Sequence, residues 1–99
     1  MAAYVVFIRE RMRNRTEYEA YREKSRPVNA SHPLKALALY GRHEVLEGPA
    51  IEGAVILEFP SFEAAKAYYH SDAYQDAARH RFLGADYRAF IVEGIQPTK

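Results

Sequence analysis

The sequence predicts an α+β domain of the ferredoxin-like type, a βαββαβ plait with one antiparallel four-stranded sheet. Four short segments rich in β-branched and aromatic residues are the expected strands, and segments with helical spacing separate the first two and the last two. The second and third strands are joined by a stretch with glycine and proline instead. A length of 99 residues fits one domain, spanning residues 1–99.

The expected central strands are Ala3–Ile8 and Ala54–Phe59, which read AYVVFI and AVILEF. Nearly continuous apolar runs of this length are typical of strands that are covered on both faces. Pro60 ends the second of these strands, because proline cannot donate a hydrogen bond to a neighbouring strand.

The other two strands, Lys35–Leu46 and Tyr87–Glu93, mix polar with apolar residues, which places them nearer the edges of the sheet. The segment Glu47–Gly53 reads EGPAIEG, and its glycines and proline are typical of a connection between two strands. Lys35–Leu46 and Ala54–Phe59 are therefore expected to form a hairpin.

The first helix follows from a stripe at alternating steps of three and four: Tyr18, Tyr21, Ser25, Val28 and His32. Asn14 or Thr16 is the expected cap, since either side-chain oxygen accepts from an unpaired backbone N–H. Pro27 predicts a kink or a break near Arg26, with a second short helical piece reaching Ser31. His32 is expected at the helix end, where the dipole favours it.

The second helical region is expected in two pieces. Ser61 caps a helix that runs to about His70, and Ser71 caps another over Asp72–Phe82. Gly84 then ends the second piece.

The central strands present a physical difficulty. Tyr4, Val6 and Ile8 point to one face of the first strand, and Val5 and Phe7 point to the other. Helices in this topology cover one face only, so the second apolar face needs another partner. A second copy of the chain is the simplest one, and about 800 Å² from each protomer would make a standard stable interface. We therefore expect a homodimer that pairs through the sheet.

Composition excludes several classes of protein. Hydrophobic residues make up 48% and charged residues 27%, a globular composition, and the formal net charge of +1 lacks the basic footprint of nucleic-acid binding. No apolar run approaches the roughly 20 residues that span a bilayer, and no basic segment precedes the first apolar run as in a secretory signal. The absence of cysteine excludes disulfides and thiolate metal sites. We expect a soluble cytoplasmic protein without nucleic-acid or membrane partners.

Four segments together resemble the bacterial domain of unknown function 1330 family: AYVVF from Ala3, EVLEG at Glu44–Gly48, VILEFPSFEAAKAYYHSDAYQ at Val55–Gln75 and FIVEG at Phe90–Gly94. The resemblance covers nearly the whole chain and implies a dimeric α+β barrel. It implies no reaction, because the family has no established activity. The wider superfamily includes cofactor-free monooxygenases, haem-degrading enzymes and lactone isomerases. One departure is HPLK at His32–Lys35, where family members often have a glycine pair.

One end of the predicted sheet, where the first strand ends and the first helix begins, collects basic residues: Arg11, Arg13, Arg42, His43, Arg79, His80 and Arg81. Guanidinium groups near a helix N-terminus favour a carboxylate or phosphate. The alternative is a solvated rim in which the arginines pair with surface carboxylates: Glu10, Glu44, Glu47 and Glu52.

Glu58 is the carboxylate inside the third strand. A lone buried acid costs several kcal/mol unless it is paired or protonated. It is expected either to form a structural ion pair, with Arg88 or with an arginine of a second copy, or to act as a general base.

The remaining candidates are aromatic or titratable. Tyr74 is a candidate pocket residue and hydrogen-bond donor, Tyr69 belongs either to the core or to the wall of a pocket, and His43 is a candidate proton carrier. No pair of histidines has the HxH or HExxH spacing of metal ligands, so neither a metal nor another cofactor is expected.

Two functions remain open from the sequence. The first is a pocket between sheet and helices for a small anionic or aromatic molecule, with cofactor-free oxidation or isomerisation; Glu58, His43 and Tyr74 would be catalytic, and Tyr69, Arg42, Arg79 and Arg81 would bind the substrate. The second is a non-enzymatic dimeric binding or assembly module. A cavity of a few hundred Å³ that reaches Glu58 or His43 would favour the first.

Overall fold

The structure, a computed structural model, describes residues 1–96 and has the predicted order of elements. They are β1 (Ala3–Met12), α1 (Arg15–Ala30), β2 (Lys35–Leu39), β3 (Gly53–Phe59), α2 (Phe62–His70), α3 (Asp72–Gly84) and β4 (Ala85–Glu93). The sheet has the order β2-β3-β1-β4, and every neighbouring pair is antiparallel. The ferredoxin-like prediction is therefore confirmed, including the central position of β1 and β3.

The sheet has one face against the helices and one face free of them. Burial alternates along β1, where Val5 and Phe7 are buried against the helices and the residues between them are only partly buried. On the outer face Val6 lies opposite Ile56 of β3 and Phe90 of β4. Phe90 keeps 51% of its surface exposed in the protomer, so the outer face is apolar and uncovered by this chain.

The core between the helices and the sheet is built around two tyrosines. Tyr68 of α2 and Tyr74 of α3 are 1% and 0% exposed, and their rings lie 4.8 Å apart between centroids. The Tyr68 hydroxyl donates to Asn29 Oδ1 of α1 at 2.7 Å, so the buried polar atom is satisfied. The rest of the cluster is mainly aliphatic and small: Val5, Val28, Val55, Leu57, Ala65 and Ala78, with Phe7 and Phe59.

Asn14 is the cap of α1, and its side chain accepts from the backbone N–H of Glu17 at 3.2 Å. At the other end Nδ1 of His32 lies 2.9 Å from the carbonyl oxygen of Val28, in agreement with the predicted role of His32 at the helix terminus.

Of the predicted kink or break near Arg26, the break is wrong, because α1 is continuous from Arg15 to Ala30 with Pro27 inside it, and the kink stays a prediction. Proline removes one hydrogen bond, to the carbonyl of Glu23, and both residues are exposed, so water can satisfy that carbonyl. Ser25 and Val28 on the opposite side of the helix are buried, and their packing holds the last turns together.

Close approach of α1 to α3 depends on Gly84. Its carbonyl oxygen accepts from the backbone N–H groups of Arg13 and Asn14, at 2.7 and 2.9 Å. A Cβ at this position would lie 2.7 Å from the backbone nitrogen of Tyr18, which cannot move without displacing α1. A glycine is therefore required where α3 ends against the start of α1.

The prediction of a strand as far as Leu46 is wrong, because β2 ends at Leu39 and residues 40–52 form an irregular connection to β3. The chain leaves the strand conformation at Tyr40, which has a φ of 54°, and the ladder is already shifted between Ala36 and Ala38. The predicted hairpin remains, since β2 and β3 are adjacent and antiparallel. No helix among the described residues has the length and apolar character needed to cross a membrane.

Candidate functional site

A cavity of about 550 Å³ lies between α1 and the helix-facing side of β2 and β3. We call it the α1 cleft. Its lining combines apolar strand residues, tyrosines and polar residues of α1: Phe7, Arg9, Tyr18, Tyr21, Arg22, Ser25, Arg26, Asn29, Leu39, Tyr40, Val55, Leu57 and Tyr68. The cleft exists because α1 packs along α3 and leaves the β2 side of the sheet uncovered.

The α1 cleft carries an excess of positive charge. Arg9, Arg22 and Arg26 line it, and no aspartate or glutamate of residues 1–96 does. Arg9 has a partner, since its Nε lies 3.0 Å from Glu52 Oε1, but neither Arg22 nor Arg26 forms a salt bridge within the described chain. The cleft is therefore suited to an anionic ligand.

Aromatic rings enclose Arg9 at one end of the α1 cleft. The guanidinium carbon lies 5.1 Å from the ring centroid of Tyr18 and 4.8 Å from that of Tyr40. The hydroxyls of Tyr40 and Tyr87 form a hydrogen bond across the sheet. A Cβ at Gly53 would lie 2.7 Å from Cδ1 of Tyr40, so this ring can cross β3 only over a glycine.

Three tyrosine hydroxyls of the α1 cleft, those of Tyr21, Tyr40 and Tyr68, remain protonated at neutral pH. Burial is the main cause that raises the pKa of Tyr21, Tyr40 and Tyr68 above its ordinary value. Protonated phenols are hydrogen-bond donors, and each of these hydroxyls already contacts a polar neighbour: Tyr74, Tyr87 and Asn29 respectively. The cleft therefore presents neutral phenols and guanidinium cations to a ligand.

Arg81 is the most unusual residue of the predicted set. It is 3% exposed, forms no salt bridge within residues 1–96, and its buried Nε has no hydrogen-bond partner. Its guanidinium carbon lies 5.0–5.6 Å from the centroids of four rings: Phe7, Tyr21, Phe82 and Tyr87. Burial lowers the pKa of Arg81, but the phenols of Tyr74 and Tyr21 outweigh it and raise the pKa overall, so the side chain stays charged.

The other two arginines predicted as an anion clamp do not meet Arg81. Arg42 lies in the exposed connection between β2 and β3. Arg79 points outward from α3, where its Nη2 donates to Asp76 at 2.7 Å. Hydrogen bonds from Arg79 and Lys24 lower the pKa of Asp76 to about 2.

Other residues of the predicted basic rim are also paired, although with different carboxylates from those expected. Arg11 and Arg13 approach Asp86 at 3.5 and 2.7 Å, and Nδ1 of His80 lies 3.1 Å from Glu17. These ion pairs agree better with a solvated rim than with a common anion site.

The three predicted catalytic residues lie in three separate places of the protomer. Glu58 is on the outer face of the sheet, His43 is in the exposed connection with Nε2 3.3 Å from the carbonyl oxygen of Ile51, and Tyr74 is in the core. Tyr69 is half-buried and, with Arg81, lines a second cavity between α3 and β4.

The predicted Glu58–Arg88 ion pair is wrong within the protomer. Glu58 lies opposite Tyr4 and Lys35, whereas Arg88 lies opposite Ile8, four residues further along β1. A pair with an arginine of a second copy stays a prediction.

Sequence reasoning missed the arginines of the α1 cleft, although two signals were present. Arg9 continues the odd-numbered positions of β1, Val5 and Phe7, which face the helices. Arg22 and Arg26 are four residues apart and flank Ser25 of the helical stripe, so they border the buried side of α1. No group of three or more histidine, aspartate and glutamate side chains within residues 1–96 is arranged to hold a metal ion.

Comparison with known proteins agrees with this architecture. The profile of the domain of unknown function DUF1330 matches residues 2–95, which confirms the resemblance noted from the sequence. A search of curated proteins finds no match.

Several solved structures share the fold. A protein of unknown function from Rhodopseudomonas palustris, RPA0582, is 23% identical with a TM-score of 0.71, covering 97% of this chain and 84% of that one. A dimeric ferredoxin-like protein of unknown function from Thermobifida fusca is 13% identical with a TM-score of 0.63, covering 94% and 91%. SnoaB, a cofactor-independent oxygenase from Streptomyces nogalater, is 11% identical with a TM-score of 0.57, covering 97% and 94%. At these identities the likeness establishes the fold alone.

The buried phenols predict a loss of stability in alkaline solution. Burial is the main cause that raises the pKa of Tyr21, Tyr40, Tyr68, Tyr74 and Tyr87, so the native state keeps protons that the unfolded chain loses near pH 10. Their contribution to the free energy of unfolding is complete below about pH 10 and decreases above it. Tyr68 and Tyr74, the most buried of them, should each lower the free energy of unfolding by up to about 1.4 kcal/mol for each pH unit above about pH 10.

Urea unfolding between about pH 8 and pH 11, with phenolate absorbance followed in parallel, measures this effect. Ionisation of all eight tyrosines in the folded protein near pH 10, with unchanged unfolding midpoints, would contradict it.

Proposed function

Since the chain belongs to the DUF1330 family and carries a cationic, tyrosine-lined cleft, we propose that it is a homodimeric protein that binds a small aromatic anion. The observation that carries this proposal is the lining of the α1 cleft: three arginines and four tyrosines without a carboxylate among the described residues. The volume of about 550 Å³ lies within the range of small-molecule sites.

The two ends of the α1 cleft favour different parts of such a ligand. Arg22 and Arg26 stand one helical turn apart at the exposed border, where their guanidinium groups can donate to a carboxylate, sulfonate or phenolate. Phe7, Leu57 and Tyr68 supply a buried apolar surface for a ring. An aromatic anion satisfies both surfaces, whereas an inorganic ion would leave the apolar wall uncovered.

Binding without catalysis is the primary proposal, because no histidine or carboxylate of residues 1–96 lines the α1 cleft. A general base would have to come from elsewhere, for example Glu58 or His43 of a second copy. Catalysis is the second candidate, and the shared fold of SnoaB, described as a cofactor-independent oxygenase, supports it. The reactions open to it are isomerisation, in which a proton leaves one ligand atom and returns to another, and oxidation of an activated CH₂ group, where CH₂ and O₂ give C=O and H₂O.

The homodimer is proposed from the outer face of the sheet. Val6, Ile56 and Phe90 form its central row, and Val92 is 47% exposed beside them. Exposed apolar patches of this kind mark interaction sites, and a second copy offers the same surface in return. The Thermobifida fusca protein is described as dimeric, which supports a homodimer here.

Binding of benzoate tests the ligand proposal, with benzyl alcohol as an uncharged probe of the same ring. Benzoate should bind saturably in calorimetric titration, and the alcohol at least about tenfold more weakly, because it lacks the charge that Arg22 and Arg26 recognise. Arg22→Met and Arg26→Met should each weaken benzoate binding by about tenfold.

Arg15→Met is the matched control, since Arg15 is an exposed arginine of α1 that does not line the cleft. Equal affinity for benzoate in all three variants and the parent protein, or no saturable binding at all, would contradict the proposal. Oxygen uptake or product formation with a bound aromatic anion would move catalysis from second to first candidate.

Substitution at the centre of the outer face tests the dimer. Val6→Lys places a charge opposite Ile56 and Phe90 and should convert the protein to a monomer at micromolar concentration in light scattering, because a buried unpaired ammonium costs several kcal/mol. Ala67→Lys, at an exposed position of α2, is the control and should remain dimeric. A parent protein that is already monomeric at this concentration would refute the dimer.

A further inference from the structure

The position of Arg81 requires an explanation that the α1 cleft does not give. This guanidinium lines a different cavity, and with 3% exposure it has neither a salt bridge within residues 1–96 nor a partner for its Nε. A buried charge without a counter-charge costs several kcal/mol, so buried arginines are normally paired. Aromatic contacts reduce this cost only partly.

The cavity that Arg81 lines lies between α3 and β4 and has a volume of about 360 Å³. We call it the α3 cavity. Its walls combine two tyrosines, two arginines and one aspartate with small and apolar residues: Arg13, Tyr69, Arg81, Phe82, Ala85, Asp86, Tyr87 and Ala89. Arg81 and Tyr69, both predicted from the sequence as binding residues, thus share one space.

We propose that the α3 cavity is a second ligand site, which takes a carboxylate or phosphate group against Arg81. The ring centroids of Tyr87 and Phe82 lie 5.0 and 5.1 Å from the guanidinium carbon, but neither ring carries a negative charge, so the N–H edge of Arg81 is the part that an oxyanion can bind. That edge matches two oxygens of a planar or tetrahedral oxyanion. The hydroxyl of Tyr69 on the same wall is a further donor.

Asp86 is the one carboxylate among the described residues that line the α3 cavity, and it is already paired. Arg13 Nε lies 2.7 Å from Asp86 Oδ1, and Arg11 Nε lies 3.5 Å from Oδ2. Among the described residues that line the cavity, the two arginines Arg13 and Arg81 outnumber this one carboxylate. The net positive charge favours an anion. The Arg13–Asp86 pair borders the cavity and does not include Arg81.

The α3 cavity is separate from the α1 cleft. No residue of 1–96 lines both cavities, and the ring centroids of Tyr21 in the α1 cleft and Tyr87 in the α3 cavity lie 5.6 and 5.0 Å from the guanidinium carbon of Arg81. A ligand that contacts Arg81 at its open edge is therefore held by α3 and β4, whatever occupies the cleft beside α1.

Inorganic phosphate and acetate are the probes, each compared with chloride at matched ionic strength. At least one of them should raise the Tm of the full chain saturably, and Arg81→Met should abolish that rise. Arg79→Met is the matched control, because it removes an exposed charge two residues away on the same helix and should keep the rise. The double variant Arg22→Met/Arg26→Met should also keep it, which separates this site from the α1 cleft.

If Arg81→Met does not fold, amide NMR of the parent protein decides the question. The Tyr87 and Ala89 amides should shift saturably with the effective oxyanion, while amides of α1 stay unchanged. The proposal is overturned if neither anion stabilises the protein beyond chloride, if Arg81→Met keeps the rise, if the double variant loses it, or if the shifts grow linearly without saturation.

Discussion

The structure depends on one constraint: its sheet is apolar on both faces, and the chain has helices for only one of them. Val5 and Phe7 are buried beneath α2 and α3, while Val6 and its neighbours Ile56 and Phe90 face away from every helix. Burial of apolar area is the main favourable term in folding and association, so the outer face favours a second copy. On the covered side, α1 packs along α3 and leaves room over β2 and β3, so the α1 cleft follows from the same arrangement of helices.

The covered side is distinguished by cations placed among aromatic rings. Arg9 lies between Tyr18 and Tyr40 and has Glu52 as a partner, whereas Arg81 is enclosed by rings and has no carboxylate. Rings stabilise a guanidinium through their negative faces, and a hydrogen bond with the phenol of Tyr74 helps to raise the pKa of Arg81, but none of these groups carries a counter-charge. Each cavity is therefore lined by guanidinium groups that an anion can still bind. No histidine of residues 1–96 lines either cavity.

The sequence predicted the fold because its strongest patterns are local. Apolar runs identify β1 and β3, and serine caps and helical spacing identify α2 and α3. The errors lie where tertiary contacts decide: β2 ends at Tyr40, whose ring is accommodated over Gly53, and Pro27 is tolerated because the other side of α1 is packed. The α1 cleft was harder to predict, because Arg9 of β1 comes close to Arg22 and Arg26 only when α1 packs in its place in the folded protein. Arg79 and Arg81 were predicted to bind one anion together, but their spacing of two residues places them on opposite sides of α3, with Arg79 exposed and Arg81 buried.

Methyl NMR with a soluble paramagnetic agent tests the central constraint most directly, because the agent broadens only signals that solvent can reach. We expect the methyl groups of Val6, Ile8 and Ile56 to be protected at micromolar concentration as strongly as those of Val5 and Leu57, which are 1% and 3% exposed in the protomer. Leu46, 84% exposed, is the internal reference for a methyl group in water. Broadening of the outer-face methyl groups to the level of Leu46 would contradict the account.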